Sequence, residues 1–127
     1  MEELVGVKDR IRSVPDFPAP GILFRDITPV LGAPELLRQS VEALTGYARS
    51  RRAEVIAGIE SRGFVFGVPV ALALGVPFVP IRKAGKLPAD TVSAEYALEY
   101  GTAKIEMHRD AFGPGRRVVI VDDLLAT

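Results

Sequence analysis

Three short apolar runs, each followed by a polar turn, constrain the fold of this chain more than any other feature. They cover residues 55–59, 78–81 and 118–121. A short run of apolar residues without polar alternation is typical of a strand that is buried on both faces, as in a parallel sheet. Between the first two runs, residues 64–74 are apolar nearly all round and stop at Gly75, which predicts a helix. The pattern predicts an α/β fold with a central parallel sheet flanked by helices.

The segments around this core give the predicted organisation. A short N-terminal helix should end at Pro15, a stiff proline-rich loop should follow it, and Pro34 should open a second helix. Strand-like residues 91–96 and 102–107 predict a hairpin that projects from the sheet edge. We therefore expect one domain over residues 1–127. Residues 1–33 form its N-terminal helix and loop, and residues 34–127 form the core, with a flexible hairpin at about 83–108.

Charge and cysteine content exclude several classes of protein. Sixteen basic and 16 acidic residues give a formal net charge of +0, which argues against wholesale binding to nucleic acid or to an anionic membrane. The chain has no cysteine, so a disulfide scaffold and a cysteine nucleophile are excluded. No stretch is apolar for long enough to span a bilayer. We expect a cytoplasmic protein in which anions are bound locally.

Polar turns follow all three apolar runs, at residues 60–63, 82–86 and 122–127. Ligands of open parallel sheets bind beyond the carboxyl ends of the strands, so these turns are the candidate site. The second turn holds three cations, which suit phosphate, and the third begins with two carboxylates, which suit hydroxyls or the waters of a metal. Each turn alone could be ordinary solvated surface. Together they predict a ligand that carries both hydroxyl and phosphate groups.

Five segments resemble the type I phosphoribosyltransferases. The run VVIVDDLLAT at 118–127 is similar to the family signature for phosphoribosyl pyrophosphate (PRPP). FPAPGILFRDI at 17–27, ESRGF at 60–64, IRKAGKLP at 81–88 and LEYG at 98–101 resemble the adenine-specific branch of the family, in the same order. The resemblance implies the type I phosphoribosyltransferase fold, with an N-terminal base-binding hood. It also implies purine salvage, in which adenine and PRPP become AMP and pyrophosphate.

The resemblance also implies a role for each matching residue. Adenine would be bound by Leu23, Phe24 and Arg25, with Phe24 stacked on the ring, although spacing alone favours Phe24 as a core residue. Pyrophosphate would be bound by Ser61, Arg62, Gly63, Arg82, Lys83 and Lys86. The ribose hydroxyls and the 5′-phosphate would be held by Asp122, Asp123, Ala126 and Thr127. Glu99 would be the acid/base group, with Tyr100 beside it.

The family further implies Mg²⁺, held mainly by PRPP and waters near Asp122 and Asp123, and a cytoplasmic homodimer. Two other functions fit the same fold: a phosphoribosyltransferase for another purine, and a PRPP-sensing regulator. The N-terminal loop argues against the first, and the single short helix before Pro15 argues against the second. Because residue 127 falls inside the PRPP signature, we expect the last part of the core to be missing and these 127 residues alone to be inactive and poorly folded.

Overall fold

A computed structural model describes residues 5–98 and 101–122. Along the chain lie α1 (Val5–Arg10), β1 (Arg12–Val14), β2 (Phe24–Asp26), α2 (Thr28–Leu31), α3 (Pro34–Ser50), β3 (Val55–Ile59), α4 (Arg62–Leu74), β4 (Phe78–Lys83), β5 (Thr91–Leu98), β6 (Gly101–His108) and β7 (Val118–Val121). The chain divides into two compact units, Met1–Leu44 and Thr45–Thr127. None of the helices in the described ranges is long and apolar enough to cross a membrane.

The N-terminal unit contains a small antiparallel sheet that the sequence did not predict. Strands β1 and β2 pair with Arg12 opposite Asp26 and Val14 opposite Phe24. The first helix therefore ends at Arg10 rather than at Pro15, and the proline-rich loop connects two strands. Three residues per strand are too few to show an alternating pattern, which is why the sequence assigned residues 12–14 to the first helix and residues 24–26 to the loop.

The second unit is built on a five-stranded sheet in the order β5-β6-β4-β3-β7. Strands β4, β3 and β7 are parallel, as predicted from their apolar runs. The β5–β6 hairpin pairs antiparallel with the end of β4, so the whole sheet is mixed rather than purely parallel. The hairpin thus extends the sheet at its edge, as the sequence predicted.

One face of the sheet is covered by α4, and close approach of the helix depends on glycine. A Cβ atom added at Gly67 would lie 2.6 Å from Cε1 of Phe78, and one added at Gly58 would lie 2.8 Å from the same ring. The ring also packs edge-on against Phe64, at 5.8 Å between ring centroids. The helix ends at Gly75, whose left-handed backbone (φ 69°) suits a helix C-terminus, as predicted.

Proline within β4 is accommodated by the pairing of its neighbours. Pro80 lies opposite Gly58 of β3. The antiparallel partner β6 pairs only with Arg82 and Lys83, beyond the proline. No ladder bond to β6 is therefore lost at Pro80, although proline has no amide hydrogen to donate.

The other face of the sheet carries a second apolar cluster. Its buried members are Val55, Ala57, Val79 and Ile81, and Ile105, Met107 and Phe112 are among the partly buried residues that pack against them. Because alternate residues of a strand point to opposite faces, β3 contributes Ala57 here and Ile56 to the face covered by α4. Strand β3 is thus buried on both faces, whereas β7, predicted to be buried in the same way, leaves Ile120 60% exposed.

Candidate active site

The carboxyl ends of β3, β4 and β7 bring the first two predicted turns and Asp122, the described residue of the third, to one edge of the sheet. The amide of Glu60 donates to the carbonyl oxygen of Ile81 at 3.0 Å, which joins the first turn to β4. A Cβ atom at Gly63 would lie 2.5 Å from the carbonyl oxygen of Val121, so the start of α4 lies directly against the end of β7. Only glycine permits that approach. Asp122, which is exposed, follows β7 at the same edge.

The first turn leads into the N-terminus of a 13-residue helix. Helix α4 begins at Arg62, and Ser61 precedes it without a side-chain capping bond. The amide of Phe64 donates to the carbonyl oxygen of Ser61 at 3.0 Å. The peptide bond between Glu60 and Ser61 is cis. Backbone N–H groups and the helix dipole at such an N-terminus favour an anion such as a phosphate group.

Glu60 connects the first turn to the basic turn. One carboxylate oxygen accepts a 2.7 Å hydrogen bond from the backbone N–H of Lys83, and the other accepts from Nη2 of Arg82 at 3.4 Å. The side chain of Glu60 is only 17% exposed. The N–H of Lys83, followed by the Arg82 guanidinium, lowers the pKa of the Glu60 carboxyl below its ordinary value despite some desolvation. Glu60 is therefore ionised at neutral pH.

The basic turn itself is closed by backbone geometry and by a second carboxylate. The amide of Lys86 donates to the carbonyl oxygen of Lys83 at 3.3 Å, and Gly85, the third residue of the turn, has φ 87°, which favours glycine. Glu106 of β6 accepts from the Gly85 amide at 2.9 Å and from the Thr91 hydroxyl at 3.0 Å. These bonds, that from Gly85 first, lower the pKa of Glu106.

The two lysines of this turn remain available to a ligand, and the Arg82 guanidinium is available in part. Lys83 and Lys86 are exposed, and the side chain of Arg82 is 33% exposed. Within the described residues, Nε of Arg82 is buried and has no hydrogen-bond partner. The protein thus holds the backbone of the turn firmly and leaves donors on its side chains.

The base-binding residues predicted from the sequence lie in the N-terminal unit. Leu23 is 52% exposed, and the partly buried ring of Phe24 packs edge-on against Phe17 at a centroid distance of 5.2 Å. The Arg25 guanidinium donates to the Ser13 hydroxyl at 2.8 Å. Among the described residues, β2 pairs with β1 alone, so its second edge has no strand partner. An open strand edge can offer backbone donors and acceptors to a flat heterocycle.

Asp26 fixes the end of β2. Its carboxylate accepts from the amide of Thr28 at 2.9 Å and from the Arg12 guanidinium at 2.5 Å. The Thr28 amide, then the Arg12 side chain, lowers the pKa of Asp26 to about 2. The strand that carries Phe24 and Arg25 is thereby tied to both β1 and α2.

Five of the residues predicted for the site lie outside the described residues: Glu99, Tyr100, Asp123, Ala126 and Thr127. In the part of the chain that the structure describes, no three His, Cys, Asp or Glu residues form a group that could hold a metal ion. Of the described residues, Asp122 is the exposed carboxylate that follows β7. This donor set fits a cation that arrives on a phosphorylated ligand and keeps its waters, rather than a protein cage.

Sequence reasoning missed Glu60 and Glu106 as organising residues. Their partners depend on strand register, because Glu106 lies opposite Arg82 on β6 and Glu60 follows the neighbouring strand. A carboxylate directly after a buried strand was the only available signal for Glu60. His108, the single histidine of the sequence, is partly buried, and its Nε2 accepts from the Ala89 amide at 3.4 Å.

Comparison with known proteins agrees with this geometry. Residues 32–127 match the family described as phosphoribosyl transferase domain. The chain is 55% identical over 117 residues to an adenine phosphoribosyltransferase of Thermobifida fusca, covering 92% of this chain and 66% of the relative, which is just under two thirds of its length.

Solved structures give the same result. The adenine phosphoribosyltransferase of Thermoanaerobacter pseudethanolicus matches with a TM-score of 0.92 and 56% identity, over 98% of this chain and 72% of that one. The Saccharomyces cerevisiae enzyme, solved with adenine and an imino-altritol bisphosphate, matches with a TM-score of 0.88 and 42% identity, over 93% and 69%. The family predicted from the sequence is confirmed, and the chain belongs to the adenine phosphoribosyltransferases.

Proposed function

We propose that the full-length protein transfers the phosphoribosyl group of PRPP to adenine, forming AMP and pyrophosphate in purine salvage. The observation that carries this proposal is the meeting of an anion-binding helix start, a basic turn and Asp122 at one edge of the sheet. PRPP presents a pyrophosphate and ribose hydroxyls, which are the groups that such an edge would bind. Family membership supplies adenine as the acceptor.

The pyrophosphate end of PRPP is assigned to the loop of Ser61, Arg62 and Gly63 and to the cations Arg82, Lys83 and Lys86. When the bond between ribose C1′ and the pyrophosphate oxygen breaks, positive charge develops on the sugar and negative charge on the leaving group. Fixed cations and helix N–H groups stabilise the leaving group without reorganising during the reaction. Bound Mg²⁺ would supply further charge neutralisation there.

The ribose hydroxyls are assigned to Asp122 and Asp123, and the 5′-phosphate to the loop that begins with Ala126 and Thr127. Carboxylates accept hydrogen bonds from paired hydroxyls, and the same two acids would orient waters of the Mg²⁺ that PRPP carries. These roles come from the similarity of residues 118–127 to the PRPP signature.

Adenine is assigned to the N-terminal unit. Phe24 would stack on the ring, while the backbone of Leu23 and Arg25 would address its hydrogen-bonding edge. Among the described residues, the second edge of β2 has no strand partner, and this open edge supports the assignment. Adenine has an amino donor where hypoxanthine and guanine have a carbonyl acceptor. A backbone site that pairs with the amino group of adenine would therefore leave buried polar groups unpaired when hypoxanthine or guanine is bound. Such mismatches can discriminate by roughly 10⁴-fold.

Glu99, with Tyr100 beside it, is assigned to proton transfer at the imidazole part of the purine. As the new bond from the base nitrogen to C1′ forms, adenine loses its N–H proton, and a carboxylate within hydrogen-bond reach can accept it. We also propose, from family membership alone, a cytoplasmic homodimer. Size-exclusion chromatography with light scattering tests the homodimer.

A base-competition assay tests the proposed function. The full-length protein is incubated with PRPP, Mg²⁺ and equal amounts of adenine, hypoxanthine and guanine, and the nucleotide formed is identified. We expect AMP alone. IMP or GMP in comparable amounts would assign the enzyme to another purine, and PRPP binding without any nucleotide would indicate a regulator.

A further inference from the structure

Glu60 bridges the two segments that are assigned to pyrophosphate. It directly precedes Ser61, and its carboxylate holds the Lys83 amide and the Arg82 guanidinium of the neighbouring strand. We propose that Glu60 is a positioning residue, which fixes the basic turn relative to the Ser61–Arg62–Gly63 loop so that both address the same pyrophosphate. This inference rests on the proposed function of the site.

The Glu60 carboxylate ties the end of β4 to the β3 side, whereas the Ala84 and Gly85 amides tie the same segment to β6 through the Lys104 carbonyl and Glu106. On one side β4 pairs with β6 only at Arg82 and Lys83, and on the other its pairing with β3 ends at Ile81. The 2.7 Å bond to the Lys83 amide fixes the backbone where the basic turn begins. The longer contact with Arg82, at 3.4 Å, orients the guanidinium without engaging it fully.

A carboxylate beside an anion site would oppose binding if it neutralised the cations. Here the shortest bond of Glu60 is to a backbone N–H, and only one Arg82 nitrogen faces it. Within the described residues, neither the Lys83 nor the Lys86 side chain hydrogen-bonds to Glu60, and both lysines are exposed, although the charge of Lys86 helps to lower the Glu60 pKa. The basic turn therefore keeps a net positive charge, and Glu60 favours anion binding by fixing the position of the turn.

Glu54 provides a control within the same protein. It immediately precedes β3, as Glu60 immediately follows it, and it accepts from the Arg117 amide at 3.0 Å and from Nη1 of Arg116 at 3.4 Å. The two carboxylates thus make the same kind of contacts at opposite ends of one strand. Only Glu60 lies at the edge assigned to PRPP, so loss of either should reduce stability and only one should alter PRPP kinetics.

The test compares Glu60→Ala, Glu60→Asp, Glu60→Gln and Glu54→Ala in the full-length protein. We expect Glu60→Ala to raise the KM for PRPP about tenfold or more, since losing one hydrogen bond between a cation and the pyrophosphate weakens binding by about that factor. The KM for adenine should change less than about twofold, and pyrophosphate affinity measured by calorimetry should fall in parallel with the PRPP effect. Glu60→Gln keeps an acceptor for the Lys83 amide and should recover most of the loss.

Glu60→Asp keeps the charge but is one methylene too short to hold both partners, so it should also raise the KM for PRPP. It therefore provides the test if the Glu60→Ala variant does not fold. Glu54→Ala should lower the unfolding temperature and leave both KM values unchanged. An unchanged KM for PRPP in Glu60→Asp, or equal kinetic effects of Glu54→Ala and Glu60→Ala, would overturn the proposal. Absence of AMP formation by the parent protein would instead refute the proposed function.

Discussion

Replacing Gly67 with alanine should destabilise the protein, although alanine is the better helix former. The new methyl group would lie 2.6 Å from Cε1 of Phe78, well inside van der Waals contact. The ring has little room to move away on that side of the sheet, because Gly58 and Phe64 also contact it. Inserting a methyl group into a filled site costs about 1–3 kcal/mol. The higher helix propensity of alanine offsets at most about 1 kcal/mol of this cost. We therefore expect the free energy of unfolding to fall by about 0–2 kcal/mol.

Gly46 provides a matched control, because it also lies inside a helix, α3, but no heavy atom lies within 4 Å of the position of an added Cβ. Gly46→Ala should therefore stabilise the protein by about 0.5–1 kcal/mol. Both variants share the propensity gain, so the difference between them isolates the steric cost, about 1–3 kcal/mol. Urea unfolding of the full-length parent and both variants measures that difference.

Equal stabilisation by Gly46→Ala and Gly67→Ala would refute the packing argument, because it would mean that the Phe78 ring can move aside without any loss of stability. The double variant Gly67→Ala with Phe78→Leu gives a second check. Removing the ring should make the alanine at residue 67 less costly, and additive effects of the two changes would contradict direct contact.

Two further predictions concern carboxylates that tie loops down. Glu106→Ala removes the acceptor of the Gly85 amide, and by loosening the basic turn it should weaken one contact with the pyrophosphate and raise the KM for PRPP about tenfold. Glu95→Ala, which changes an exposed acid on the same hairpin, should leave the KM unchanged, and equal KM values for the two variants in steady-state kinetics would contradict this role of Glu106. The pKa of Asp26 is lowered to about 2, so its contribution to stability is fully present above about pH 4 and is lost as the pH falls toward 2. Asp26→Asn should therefore lower stability at pH 7 and flatten its loss between pH 4 and 2 in thermal unfolding, and parallel acid profiles for parent and variant would contradict that assignment.

Much of the core could be predicted from the sequence because its signals are local. Unbroken apolar runs indicated the three parallel strands, and Pro34 and Gly75 marked the start of α3 and the end of α4. Placing the polar turns at one sheet edge then needed only the general rule for parallel sheets. The family resemblance added roles for individual residues, and these roles stay predictions.

The remainder depends on contacts between segments that are distant in the sequence. Strands β1 and β2 have three residues each, and helix α2 has four, so no periodic pattern could reveal them. The organising roles of Glu60 and Glu106 require knowing that β4 lies between β3 and β6 and in which register. The glycines that contact Phe78 likewise become meaningful only once α4 is packed on the sheet.

Calorimetric titration of PRPP with Mg²⁺ into the full-length protein tests the central claim, that the edge formed by the first turn and the basic turn binds the pyrophosphate of PRPP. The comparison is between the parent and Arg82→Gln. A hydrogen bond to a charged group contributes about 1.5–3 kcal/mol, so the variant should bind PRPP about 10- to 100-fold more weakly, with its adenine affinity unchanged. Undiminished PRPP affinity in Arg82→Gln would place the site elsewhere and contradict the account.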